Sequence, residues 1–265
     1  MKIVKGYKAP EFDGSVIRVL AHETIKDIDP FLMLDYFETD KKEIGMGSWH
    51  PHRGIETFTY IVRGSMKEKD TINGELEVNE GGVLHLSSGS GMYHTSVPSY
   101  SEVGIEGFQL WFNIPMKNKM DKPYSSAFQN NDFPHVVEHG NDIKILTGKY
   151  KNKNGPLDKS NLGLNIFDVT VEQDIVINRS KGKKGYIYVF KGNGLIDNKK
   201  LETGTAYIIE PGEYVIINRS DSLRFLFCEG TPLNEPIEWR GPIVMNTKQE
   251  IKQAYEELNS NTFVK

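Results

Sequence analysis

The sequence predicts an all-β protein built as two tandem small barrels, with a short helix at its C-terminal end. Three observations carry this. Short β-branched and aromatic runs recur between Gly-containing turns, at the spacing of sandwich and barrel strands. A pattern of strand, Gly and hairpin in the first half returns in the second. A helical period shows clearly only from Asn246 onward. On this reading residues 1–116 form the first barrel, 117–134 a linker, and 135–265 a second barrel ending in a helix at 246–259.

Taken in order, SVIRVL (15–20) alternates as a strand, and Asp29-Pro30 marks a turn before the apolar run Phe31, Leu32, Met33, Leu34. A polar, Gly-containing loop over 38–48 leads to Trp49. Thr57–Val62 is β-branched and aromatic, a strand that ends at Gly64. The chain then returns through Asn73-Gly74, the strongest hairpin signal present. Gly81-Gly82 and the Gly89-Ser90-Gly91 turn bound the strand VLHLSS, and Met92–Val97 follows. In GIEGFQLWFNIP, Phe108, Leu110 and Phe112 share one face, with Gln109, Trp111 and Asn113 on the other. Pro115 ends it. The polar, Pro-containing stretch over 117–134 reads as the linker. HVVEHG, DIKILTG, LGLNIFDVTV and QDIVINRS then resume the strand pattern. In the tail, Thr247 and Glu250 make a T-x-x-E capping box, and Ile251, Ala254, Tyr255 and Leu258 fall on one helical face.

The repeat is specific enough to align. TYIVRGSM (59–66) matches IYVFKGNG (187–194), and GGVLHLSSG (81–89) matches TGTAYIIEPG (203–212) with one insertion. The 265 residues suffice for two domains with cores of their own. The net charge of −4, with both signs interspersed, leaves no basic stripe for nucleic acid. A single cysteine, Cys228 in LRFLFCEG, excludes an internal disulfide and reads as a buried small hydrophobe. The N-terminal MKIVKGYKAPEF lacks an apolar signal-peptide core, and no stretch approaches eighteen apolar residues. A soluble cytoplasmic protein without membrane association is expected.

Chemistry concentrates in WHPHRGIETFTYIVRG (49–64). His50 and His52 stand at i and i+2, so in an extended segment both imidazoles enter one cavity. His94, in SGSGMYHTS, joins them if its strand pairs near the first. Three neutral imidazoles form a good set of ligands for a divalent transition metal. In the second copy the positions of His50 and His52 map to Asn178 and Ser180, and that of His94 falls within EYVIIN. One metal site is therefore expected, not two.

These residues carry a family likeness. DPFLMLDYF (29–37), HPHRGIETFTYIVRGS (50–65), SSGSGMYH (87–94), FQLWFNIP (108–115) and PLNEPIEWRGPIVMNTKQEI (232–251) resemble the pirins, a branch of the cupin superfamily. The resemblance implies two cupin barrels, each a double-stranded β-helix, and one metal in the first. It implies iron most readily, as Fe(II). His₃ sites also accept Ni, Cu, Co, Mn or Zn. It further implies three histidine ligands, at His50, His52 and His94, and one glutamate. That last position departs from the family's His-Ser-Glu, because here His94 is followed by Thr95 and Ser96. Three arrangements stay open: water in the fourth position, Glu56 turned in as a ligand, or a site without metal. Some pirins resemble quercetin 2,3-dioxygenases, which implies ring opening of a flavonol by molecular oxygen, with the metal lowering the pKa of the flavonol 3-hydroxyl. A cavity lined by Phe, Met and Trp would take such a small aromatic substrate, with Glu56 or solvent removing the proton. The competing expectation is a metal-dependent redox-sensing regulator that binds a protein partner. A third is a fold that has lost its metal.

The remaining polar residues have plainer readings. His85, flanked by apolar residues, reads as a satisfied core histidine or a partner behind the ligands. His135 and His139 flank a strand, and His22 reads as surface. Arg53 is expected to make structural hydrogen bonds at the rim or to pair with an acidic group. Asn234 and Glu235 are expected to satisfy backbone in a bridging loop.

Overall fold

The computed structural model describes residues 1–9, 16–22, 25, 28–40, 48–99, 104–157 and 162–265; most of the loop expected over 38–48 lies outside the described residues. The described residues are mostly strands, with one α-helix at Lys248–Asn259.

The chain divides into two compact units that are not consecutive in sequence. One joins Phe31–Asn130 to Leu233–Lys265, and the other joins Met1–Ala9 and Ile17–Pro30 to Asn131–Pro232. The expected boundaries at 116 and 134 are therefore corrected at both chain ends. Lys2–Lys5 pairs antiparallel with Thr205–Ile208, so the first strand completes a sheet of the second half. The C-terminal helix buries Ile251 and Ala254 in a cluster with Ile243, Met245 and Phe263, against which Tyr93 of the first half packs. Self-comparison of a sequence detects copies of a pattern, but not an end strand or helix exchanged between the copies.

The stretch expected as a linker is also structured. Tyr124–Phe128 pairs with Val83–Ser87 and so covers the edge of that strand, and Lys119 is buried. Its polar Ser125 and Ser126 and the preceding Pro123 mask the strand pattern. In the unit holding the histidines, a five-stranded run orders Tyr124–Phe128, Val83–Ser87, Ile55–Arg63, Ile105–Asn113 and Phe31–Thr39. A four-stranded sheet orders His50–His52, Met92–Pro98, Ser65–Asp70 and Gly74–Asn79. Thr57 lies opposite Trp111, Phe58 opposite Leu110 and Thr59 opposite Gln109. Phe108, Leu110 and Phe112 thus share the apolar face read from their alternation, all at most 1% exposed.

The other unit repeats the plan. Its seven-stranded sheet includes Lys184–Lys191, Leu223–Gly230, Asn165–Val171 and Asn141–Thr147, and a four-stranded sheet contains Ile175–Arg179 and Gly212–Asn218. An aliphatic and aromatic core runs through Ile143, Val169, Ile187, Val189, Phe225 and Phe227. The aligned turn glycines, Gly64 and Gly192, both take positive φ (87° and 74°). A Cβ on either would meet a backbone oxygen, of Gly104 or of Ser222, so the repeat preserves them for steric reasons. Cys228 is fully buried, as expected.

Candidate metal centre

His50 and His52 lie on one three-residue strand, and the antiparallel strand Met92–Pro98 sets His94 directly opposite His50 and Met92 opposite His52. The ring centroids are 4.8 Å apart for His50 and His52, 4.2 Å for His50 and His94, and 4.8 Å for His52 and His94. One ring nitrogen from each lies within 4.8 Å of the others. Among the described residues these three form the only group of His, Cys, Asp or Glu side chains with such spacing.

Each Nδ1 is engaged away from that convergence. His50 Nδ1 meets the Ser48 carbonyl at 2.9 Å, His52 Nδ1 the Pro242 carbonyl at 3.0 Å, and His94 Nδ1 the Glu68 carboxylate. A carbonyl can only accept, so His50 and His52 donate Nδ1–H, and their Nε2 atoms keep the lone pair. His94 Nε2 is buried without a hydrogen-bond partner. Burial, then the nearby His94 and His50 rings, hold His52 well below the usual imidazole range, and burial, then His50, holds His94 at about 3. Neutral rings with convergent lone pairs are what a divalent transition metal requires, so the donor set fits.

Glu68 escaped the reading of the sequence. It lies on Ser65–Asp70, where Met66, Glu68 and Asp70 are buried while Lys67 and Lys69 are exposed. The signal was present: with Met66 turned inward, period-two alternation carries Glu68 and Asp70 inward as well. Glu68 is 1% exposed and sits opposite Ser96 in register. One carboxylate oxygen faces His94 Nδ1, and the other accepts from the Ser96 hydroxyl. Burial pushes the Glu68 carboxyl up to about 8; the Ser96 hydrogen bond opposes this and Asp70 adds to it.

Glu56 is a correction: it does not turn toward the triad. In an uninterrupted strand, residues 50, 52 and 56 would share a face, but Gly54 takes φ 74° between them and breaks the parity. Beyond it, Glu56 lies opposite Phe112, whereas Thr57 lies opposite Trp111, whose ring meets His52 edge-on at 5.1 Å. Glu56 therefore takes the face away from the histidines and pairs with His85 Nε2 at 2.7 Å. This satisfies His85 as the core histidine expected, though its Nδ1 and Glu56 Oε2 are buried without partners. Ser96 likewise acts on Glu68 rather than at the fourth ligand position.

Distant segments brace the histidine strand. Arg53, 1% exposed and not at the rim, donates to the Ser90 carbonyl (2.7 Å), the Phe263 carbonyl (2.9 Å) and Glu257 (2.6 Å). Its acidic partner thus lies 204 residues along the chain. Lys119 Nζ donates to the carbonyls of Gly54 and Val244 and to Asn113 Oδ1, at 2.6–2.9 Å. Trp111 stacks on Trp239 with centroids 5.8 Å apart, and Trp49, beside His50, is 53% exposed. The buried Trp111 Nε1–H and Thr57 hydroxyl have no protein partner. Elsewhere, His135 pairs with Asp142, His139 occupies a left-handed turn (φ 49°), and His22 is half-buried rather than at the surface. Glu235 accepts from the Met116 N–H at 2.7 Å, the backbone role expected of it.

The tandem antiparallel barrels, one of them carrying a three-histidine cluster, define a bicupin with, among the described residues, a single candidate metal centre. Residues 14–112 match the family model described as Pirin, and residues 166–264 match the one described as Pirin C-terminal cupin domain. A pirin-like protein of Caulobacter vibrioides is 30% identical over an alignment of 272 positions that covers 99% of this chain and 98% of that protein. The chain belongs to the pirin family. Its structure is similar to the crystal structure of quercetin 2,3-dioxygenase from Acinetobacter baumannii, with TM-score 0.90 and 29% identity over 99% of this chain and 97% of that one. The bacterial pirin YhhW from Escherichia coli, solved in complex with nickel(II), matches with TM-score 0.64 over 87% of this chain and 99% of that one. At 18% identity, that likeness bears on the fold alone. Among the described residues no helix is long and apolar enough to cross a membrane.

Proposed function

We propose that the chain is a metal-dependent dioxygenase of small aromatic substrates, flavonols such as quercetin being the first to test. The observation that carries this reading is the convergence of three imidazoles whose Nδ1 atoms are all tied down, leaving three Nε2 atoms for one divalent ion. His50, His52 and His94 would hold the metal, Fe(II) in the first instance, as an open site without a carboxylate ligand. Such an ion supplies Lewis acidity toward a phenolic hydroxyl and a place for dioxygen beside the ring.

The protein's own part is binding and orientation. Trp111, edge-on to His52 and stacked on Trp239, offers a flat apolar surface next to the triad. The unpartnered Trp111 Nε1–H and Thr57 hydroxyl can each donate to a substrate oxygen, which would set its orientation. With Glu56 committed to His85, proton removal from the substrate falls to solvent or to a group other than Glu56. The likeness to a quercetin 2,3-dioxygenase along the whole chain supports the same substrate class.

The test begins with metal analysis of untagged protein purified without chelator, beside His94→Ala. Near one equivalent in the wild type, lost in the variant, together with oxygen uptake on adding quercetin, is the expected result. Metal without turnover of any flavonol would remove the enzyme and leave a metal-dependent binding protein. No metal in either, even after incubation with Fe(II), would remove both.

A further inference from the structure

The strand Ser65–Asp70 brings to this centre a group that its motif does not contain. We propose that Glu68 is a positioning residue of the metal site, acting through His94, and that Ser96 holds it in place. The inference rests on the reading above that the triad binds a metal ion.

The argument is one of register and hydrogen-bond supply. Ser96 and Glu68 are directly opposed on neighbouring antiparallel strands, so their side chains emerge on one face within about 5 Å of each other. Glu68 reaches past that pair to His94 Nδ1 with one oxygen and receives the Ser96 hydroxyl with the other. Both carboxylate oxygens are engaged, and Glu68 does not belong to the group of side chains that converges with the triad. A metal on His94 Nε2 requires the proton to reside on Nδ1, and a proton there needs an acceptor. Of the three ligand histidines, only His94 has a carboxylate as that acceptor; His50 and His52 use backbone carbonyls. A side-chain carboxylate fixes ring orientation and tautomer and raises the basicity of the ligand nitrogen more than a neutral carbonyl does. The carboxyl group of the site is thus supplied across the strand pair, behind a histidine, rather than beside the metal.

Two readouts test this. The first is Co(II) affinity, measured by competition with a chromophoric chelator, for the wild type, Glu68→Gln, Ser96→Ala and, as a control on the solvent face of the same strand, Lys67→Ala. Glu68→Gln should weaken binding about 10–100-fold, Ser96→Ala by less, and Lys67→Ala not at all. The second needs no metal: ¹⁵N–¹H correlations of the imidazoles in the metal-free protein. Recorded at pH 9, above the value near 8 to which burial lifts Glu68, they should show His94 in its Nδ1–H form in the wild type and a mixture of tautomers in Glu68→Gln. Unchanged thermal unfolding of Glu68→Gln would separate a local effect from loss of the fold, and Ser96→Ala carries the comparison if that variant does not fold. Co(II) binding by folded Glu68→Gln within twofold of the wild type would overturn the role of Glu68 while leaving the triad intact. Absence of Co(II) uptake by the wild type would overturn the triad reading, and this inference with it.

Discussion

At Gly54 the backbone takes φ 74°, and a Cβ there would lie 2.0 Å from the Val244 carbonyl oxygen. That one residue separates the strand of His50 and His52, in the four-stranded sheet, from Ile55–Arg63 in the other sheet with opposite parity, which is why Glu56 faces His85 and not the triad. Gly54→Ala meets both a left-handed backbone and a backbone clash, so it should destabilise the fold by at least about 2 kcal/mol in urea unfolding. A second residue with a large effect is Lys119. Burial pushes its ammonium down to about 7, yet three acceptors surround Nζ, and only the charged form has three N–H bonds to give. Lys119→Met keeps the apolar stem but strands the Gly54 and Val244 carbonyls in the interior. A loss of about 3 kcal/mol or more is expected, read as a lower denaturation midpoint without a change in slope.

On the scale of elements, the helix Lys248–Asn259 has a double role. Its start is local chemistry: the Thr247 hydroxyl accepts from the Glu250 N–H, and the Glu250 carboxylate accepts from the Thr247 N–H. Its last turn serves the site, since Glu257 meets Arg53, the residue after His52. Burial would raise the Glu257 carboxyl, but hydrogen bonds from Gln253 and Arg53 and the Arg53 charge outweigh it and hold the group below its ordinary value near 4.5. A carboxyl depressed in the folded state adds stability above its unfolded pKa, and that stability is lost as pH falls through the folded value. The wild type should therefore lose stability below about pH 4.5 more steeply than Glu257→Gln, in urea midpoints measured between pH 7 and pH 3. Parallel curves would remove Glu257 from the acid response. The strand Ser65–Asp70 shows how an element can hide a functional residue. Its Lys-Glu-Lys-Asp run reads as a solvated strand until the burial of Met66 sets its phase.

For the whole molecule, exchange of the chain ends changes what counts as a domain. A fragment cut at the expected boundary, 135–265, lacks the strand Lys2–Lys5 and keeps a helix belonging to the other unit; 1–134 lacks that helix and the Pro242 carbonyl that orients His52. Neither fragment alone should give a dispersed amide spectrum of a native fold, whereas the intact chain should. Native spectra from both fragments would show that the exchanged elements are dispensable.

Much of this was open to reading in the residues themselves. Turn glycines, period-two alternation and the capping box are local, each set by backbone sterics or hydrogen bonding over a few positions, so strands, repeat and helix could be read directly. The pairing of His50 and His52 was legible for the same reason, and His94 joined them by likeness of motif. What only the tertiary structure decided was long-range: that Glu56 faces away, that Glu68 stands behind His94, that Arg53 meets Glu257 and that the chain ends are exchanged. Each depends on strand register or on contacts across many intervening residues. Register depends on how whole strands pack, and a single left-handed glycine is enough to turn a carboxylate to the other face.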